Sequence, residues 1–303
     1  MPVSGWSSTA SLNTSVGGLT TDGNIQVVAN IDGMFRGMMA DIATARDDGT
    51  MTTYAPRGYL HGLTLSNNVG DAVNDLDIAV GECAADTSPY RKLTLASAIS
   101  KRLDAGWAVG SNQGGLDTGS LADGTYHIWL IQRSDTGVVD ALFSTSATAP
   151  TMPTNYDRKR RIGSIIREAA TIIGFHQKGD KFKRRVSVTP YNSTAAVSPP
   201  VLRLLSVPDG IVVEPIMQVN LVVNPSSNAF NTFGDAENGT AGVTVVQNVA
   251  APAGANATSG NWIEGGFFTD TSRQLYHGVG IPAGTISSNT INMWGWIDTR
   301  GRV

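Results

Sequence analysis

Beyond Gly49 the apolar residues of this chain come only in short runs, each closed by glycine, proline, asparagine, aspartate or serine. Such runs occupy residues 62–67 (GLTLSN), 76–84 (LDIAVGECA), 91–99 (RKLTLASAI), 126–133 (YHIWLIQR), 138–146 (VVDALFSTS), 158–168 (RKRRIGSIIRE) and 171–177 (TIIGFHQ). They are too short for stable helices and rich in β-branched and aromatic residues, so they predict strands. Ser134–Gly137 and Lys178–Asp180 each separate two such runs and predict hairpins. After a Ser/Thr/Pro stretch at 192–200, expected as a loop or boundary, the series resumes at 201–224, 242–251, 261–270, 274–281 and 291–301. Many short strands with regular turns predict a mainly β protein of β-sandwich or jelly-roll modules.

Composition agrees. Charged residues make up 16 % of the 303-residue chain and glycine counts 34, against roughly 25 % charged and ~7 % glycine in ordinary soluble domains. A net charge of −3 argues against nucleic acid as a partner, because phosphate binding needs a strong positive field. One cysteine, Cys83, excludes an internal disulfide and reads as a small apolar filler. The N-terminus has no basic-then-apolar signal pattern, and no run approaches 18 apolar residues, so neither a secretory signal nor a membrane span is expected. The expected organisation is an attachment segment with a helix at 1–57, a β-sandwich module at 58–168 and a second at 169–303. The boundary between the modules falls within 168–200.

Before Gly49 the pattern differs. Residues 1–22 read as extended, and residues 24–47 read as one amphipathic helix, with Asp22 or Asn24 as its cap. Its apolar residues Val28, Ile31, Phe35, Met38, Ile42 and Ala45 step by three and four, the spacing of a coiled-coil seam. Gly33 and Gly37 weaken the isolated helix by about 1 kcal/mol each. Two readings stand: a helix lying on its own domain, or an oligomerisation helix that bundles around an axis.

The stretch FRGMMADIATARDDG, with Arg36, Met38, Met39, Arg46, Asp47 and Asp48, resembles the start of many bacteriophage tail-fibre and minor tail proteins. Residues 62–167 are similar to a module repeated across phage structural proteins, and 206–214 (SVPDGIVVE) and 291–301 resemble segments found downstream in them. The resemblance implies a virion component, a fibre or spike subunit that forms homotrimers. It also implies attachment to other virion proteins through the N-terminal region and contact with the host surface.

No catalytic or cofactor pattern accompanies this. His61, His127, His176 and His277 are scattered, with no metal-ligand spacing. No nucleophile elbow is present, and Gly114-Gly115 and Gly265-Gly266 do not match phosphate loops. Neither enzyme activity nor a cofactor is expected. Asp75 and Asp77 alternate on one strand; they read as a turn-and-edge feature, or as a carboxylate pair for glycoside cleavage in a tailspike depolymerase. Arg158-Lys159-Arg160-Arg161 is charged on both faces of its strand, which suits an exposed edge, a subunit contact or an anionic polysaccharide. Trp262, Tyr276, Trp294 and Trp296 crowd the C-terminal region, with Trp294 and Trp296 expected on one strand face. They read as sandwich core or subunit interface, or as a platform on which a host surface polysaccharide stacks. That last reading would make the chain a dedicated glycan-binding receptor-recognition protein.

Overall fold

The computed structural model describes residues 8–9, 15–16, 19–20, 29–47, 54–236 and 243–302. Within them the chain is mainly β, with strands gathered into five sheets and one helix. A two-residue ladder of β1 (Ser15–Val16) and β2 (Leu19–Thr20) precedes α1 (Ala29–Asp47), whose last turn carries Arg46. The expected caps Asp22 and Asn24, and the seam residue Val28, lie outside the described residues.

Within the expected first module, three strands each break once. They become β3 (Leu60–Gly62) and β4 (Leu65–Asn67), β5 (Asp75–Ile78) and β6 (Gly81–Ala84), and β7 (Lys92–Leu95) and β8 (Ile99–Gly106). Each break is a corner between sheets: β3, β6 and β7 form a three-stranded sheet, whereas β4, β5 and β8 join an eight-stranded one. At the first corner Gly62 and Leu63 are both left-handed. Position 62 needs glycine, because a Cβ there would sit 2.4 Å from the Val80 carbonyl oxygen.

The larger sheet is completed by β9 (Gln113–Leu116), β10 (Gly124–Gln132), β11 (Val139–Ser144), β12 (Arg158–Glu168) and β13 (Thr171–Ile172). Its order is β13-β12-β10-β11-β9-β8-β5-β4, with β9 parallel to both neighbours. Leucine and isoleucine from β5, β7, β8 and β10 pack between this sheet and the smaller one. On its other face Trp129, Ile131, Leu142 and Tyr156 form a separate cluster, with Trp107 and Met152 against it.

The remaining strands build a sandwich. β14 (Phe175–Lys178), β15 (Lys181–Ser193), β17 (Glu214–Val223), β20 (Ala257–Glu264) and β22 (Ile286–Ile297) form one sheet, in the order β14-β15-β22-β17-β20. β16 (Val197–Leu204), β18 (Asn228–Gly234), β19 (Thr244–Ala250) and β21 (Gln274–Ala283) form the other, in the order β16-β21-β18-β19. Leu221, Val223, Val249, Val279 and Ile286 interlock between them. The stretch expected as a loop at 192–200 is instead a corner between these two sheets. β15 runs on to Ser193, and Pro199 and Pro200 lie within edge strand β16, where a missing N–H costs no ladder bond.

One core cluster crosses the expected module boundary. It holds Leu65, Ile128 and Ile162 from one side, and Phe175, Phe182, Met217 and Trp296 from the other.

Candidate functional site

Four sets of residues carry the functional expectations, and the fold treats each differently. The helix comes first. Phe35 and Met38 are 56 % and 54 % exposed, and Ile42 is half-buried, whereas Met39, Ala40 and Ala43 are buried. Met39 and Ala43 are four residues apart on one face; Phe35, Met38 and Ile42 mark another. The helix therefore has a covered apolar face and an open one. Ile31 and Ala45 fall in the same helix.

The basic run is not an exposed edge. Arg160 and Arg161 are buried in β12, although the short edge strand β13 pairs only with its other end, at Arg167 and Glu168. Arg161 donates to both carboxylate oxygens of Asp298, at 2.6 and 2.8 Å. It also donates to Ser164 Oγ at 3.0 Å. Arg160 donates to the Arg300 carbonyl at 3.1 Å. Lys159 pairs with Asp86 and stands 4.7 Å over the Trp129 ring. Burial pushes the Asp298 carboxyl up, but the Arg161 charge and hydrogen bonds, with the Arg300 N–H, outweigh it and hold it below the usual carboxylate range. These contacts bind the C-terminal turn to the first module.

The aromatic residues are split three ways. Trp296 is fully buried and stacks on Phe182 at 5.6 Å, with the rings 6° from parallel. Trp294 faces outward, so the expectation that the two share a face is wrong. The cause is a bulge: Ile216 pairs with Gly295 and Met217 with Met293, leaving Trp294 as the extra residue. Alternation restarts one residue late, and Met293 and Trp296 both point inward. Tyr276 lies on β21 between the buried Leu275 and His277, and faces outward from the opposite sheet of the sandwich.

Trp262 and Trp294 do meet. Their ring centroids are 5.4 Å apart at 42°, on the outer face of the five-stranded sheet. Trp262 is 53 % exposed. Lys183, which sequence reasoning did not place here, brings its ammonium to 5.5 and 6.0 Å from the two rings. Gln218 lies between, opposite Trp262 on one side and Asn292 on the other. The pair thus spans three strands and presents aromatic faces, an amide and a cation on a flat surface.

Asp75 and Asp77 serve local structure. Asp77 Oδ1 accepts from Asn68 Nδ2 at 2.7 Å and from Ser100 Oγ at 2.5 Å. The Asp75 carboxyl is raised by burial first, and then by Asp71 and Asp104. Asp77 borders a cleft of about 340 Å³ whose lining does not include Asp75. A larger cleft of about 680 Å³ runs along Trp107, Leu116, Asp117, Thr151 and Met152. There Asp117 ties two loops together by accepting from Thr118 N and Thr151 N, at 2.7 and 2.8 Å.

The histidines serve the interior or the surface singly. His277 is buried, stacks on Phe233 and hydrogen-bonds Asn231 Oδ1 at 3.2 Å. His127 is buried against Ser164 Oγ at 2.9 Å. Among the described residues no cluster of three histidine, cysteine or acidic side chains could hold a metal ion. Among them, too, no helix is long and apolar enough to cross a membrane.

No protein-family model and no curated protein matches the chain. Among solved structures it aligns with the VP2 subviral particle of infectious bursal disease virus, over 84 % of this chain and 77 % of that one, at 10 % identity and a TM-score of 0.24. The T13 particle of the same virus aligns over 80 % and 72 %, at 11 % identity and a TM-score of 0.22. Superposition at that level carries neither fold nor function from those structures to this chain.

Proposed function

We propose that the chain is a non-enzymatic structural subunit of a bacteriophage particle, a tail fibre or spike, that assembles as a homotrimer through α1. In this reading the N-terminal region joins other virion proteins and the β body projects outward to the host surface. The supporting observation is the helix with two apolar faces, one covered and one open at Phe35 and Met38. Exposed side chains of that size, spaced as a seam, are covered when the same face of a second helix packs on them. The tail-fibre resemblance of the same segment points the same way. Light scattering of the full chain tests it: the expected mass is three times 31.8 kDa. A monomer mass at every concentration would refute the assembly.

A second reading, a dedicated glycan-binding protein, is favoured by the outward Trp262–Trp294 pair with Lys183. The two readings fit one polypeptide, the sandwich face supplying the host contact. Release of reducing ends from a capsular polysaccharide would favour the depolymerase reading over both.

A further inference from the structure

We infer that the outer face formed by Trp262, Trp294 and Lys183 binds an acidic saccharide, with a hexuronate unit as the chemistry it fits. The inference rests on the host-contact reading above and gives that contact a ligand class. Four observations carry it.

The first is the aromatic pair itself. Two indoles 5.4 Å apart and tilted at 42° make a shallow, continuous apolar floor. The C–H face of a pyranose packs on such a floor, drawn to the negative face of the rings. Trp262 keeps half its surface in water, although its neighbours Ile263 and Met217 are buried. An indole this open on a sheet face has apolar area that only a ligand or partner would cover.

The second is the charge balance. Lys181 and Lys183 alternate on β15, and Lys181 is paired with Glu264. Lys183 has no carboxylate within ion-pair distance among the described residues, and its ammonium lies over the two rings, 5.5 and 6.0 Å from their centroids, held only by cation–π attraction. A neutral sugar would leave that cation hydrated. A uronate carboxylate reaching it from a stacked ring would form a charge-assisted hydrogen bond.

The third is the polar lining. Gln218 stands in register between Trp262 and Asn292, and Asn292 accepts from Thr189 Oγ1 at 2.6 Å. Asn220 donates to Thr290 Oγ1 at 3.4 Å one step along. Amides and hydroxyls beside an aromatic floor suit a ligand covered in hydroxyl groups.

The fourth is rigidity. Trp294 is held at the bulge by Gly295, where a Cβ would sit 2.0 Å from the Phe182 carbonyl oxygen. Both tryptophans stand on ladder-paired strands, so little order is left to impose on binding. Gly260, two residues before Trp262, keeps the floor low, since a Cβ there would meet Asn220 Oδ1 at 2.7 Å.

The test is titration of the full chain with trigalacturonate and with its neutral counterpart galactotriose, followed by tryptophan fluorescence and calorimetry. Trigalacturonate should bind, and its affinity should exceed that of galactotriose by about tenfold, the scale of one charge-assisted contact. K183M should remove that preference, and W262A should remove binding of both sugars, with the light-scattering mass unchanged in each variant. Equal affinity for the two sugars, or a preference that survives K183M, would overturn the acidic assignment. No binding of either sugar at 20-fold the concentration of a millimolar site, roughly 20 mM, would overturn the site. A mass that falls in W262A would make the face a contact between copies of the chain, and would overturn it too. The sugar titrations depend neither on α1 nor on the virion assignment, so the two readings fail separately.

Discussion

At the scale of single residues, the interior is more polar than an apolar strand count suggests, and that polarity makes stability depend on pH. Asn231 exchanges hydrogen bonds with Asn289, at 3.1 and 2.8 Å, and donates to Gln247 Oε1 at 2.8 Å, all three side chains being buried between the sandwich sheets. His277 joins this network by donating Nε2–H to Asn231 Oδ1, with no carboxylate beside it. Burial, reinforced by Arg203, pushes its pKa down to about 3. Burial and then Arg161 push His127 down to about 4. Arg161 donates to Ser164 Oγ, so the serine hydroxyl turns its own proton to His127 Nδ1, an assignment made from the network. Both histidines are therefore neutral in the folded chain. The unfolded chain takes up these protons below about pH 6.5, and the folded one does not. Their contribution is whole above that pH and falls as pH drops toward the folded values, by about 1.4 kcal/mol per pH unit for each histidine. Urea unfolding at pH 7.5 and pH 5.0 should differ by roughly 4 kcal/mol from the two together. H277F should lose about half of that difference, and a wild-type profile flat across this range would contradict the account. Asp298 makes a second prediction at this scale. D298A leaves the Arg161 guanidinium buried and unpaired, and should cost roughly 3–5 kcal/mol by denaturant titration.

Among the elements, the bulge in β22 decides what faces the outside. Without an extra residue, Trp294 and Trp296 would share a face, and either the core would lose its Phe182 partner or the surface would lose its second indole. Gly295 makes the bulge possible, with a φ of 147° and no room for a Cβ. G295A should destabilise the chain by roughly 2–4 kcal/mol, and tryptophan emission should shift to the red as Trp296 gains water. An unchanged spectrum with unchanged stability would show that the strand tolerates another register. Much of the β framework was legible in the sequence, because apolar runs and turn residues are local signals. The one long helix was legible too, and Ala29–Asp47 lies within the expected 24–47. What escaped was non-local. Alternation along 291–297 carries no sign of a bulge that is defined only against β17. The basic run looked exposed because the carboxylate that buries Arg161 lies 137 residues away. Lys183 had no local reason to be grouped with Trp262, since β15 and β20 are joined only through β22 and β17. Strand β9 escaped because QGGL has almost no side chains to show a pattern, yet Gly115 is needed where a Cβ would lie 2.6 Å from the Phe143 ring.

For the whole molecule, the two stretches that read as separate modules share one interior. Phe182 and Trp296 belong to the same cluster as Leu65, Ile128 and Ile162, and a Cβ on Gly163 would meet both Leu65 and Phe182, at 2.7 and 3.1 Å. Polar contacts tie the same surfaces: Gln177 Oε1 accepts from Leu65 N at 2.6 Å, and Asn67 Oδ1 accepts from Phe175 N at 3.1 Å. The buried Arg161–Asp298 pair closes the far end, joining β12 to the C-terminal turn. A half cut free at residue 170 would expose the apolar faces of β12, β14 and β15 together. Those faces lie in the middle of the cluster, where lost burial costs most, at about 25 cal/mol per Å² of apolar surface. Scanning calorimetry of the full chain should therefore show one main transition for the β body, with D298A moving the whole of it to lower temperature. Limited proteolysis should likewise yield no stable fragment ending between residues 168 and 200. Two transitions, with D298A shifting only one, would mean that the shared core is a docking surface between independently stable halves. In that case the sandwich carrying Trp262 and Trp294 could be produced and studied as a unit of its own.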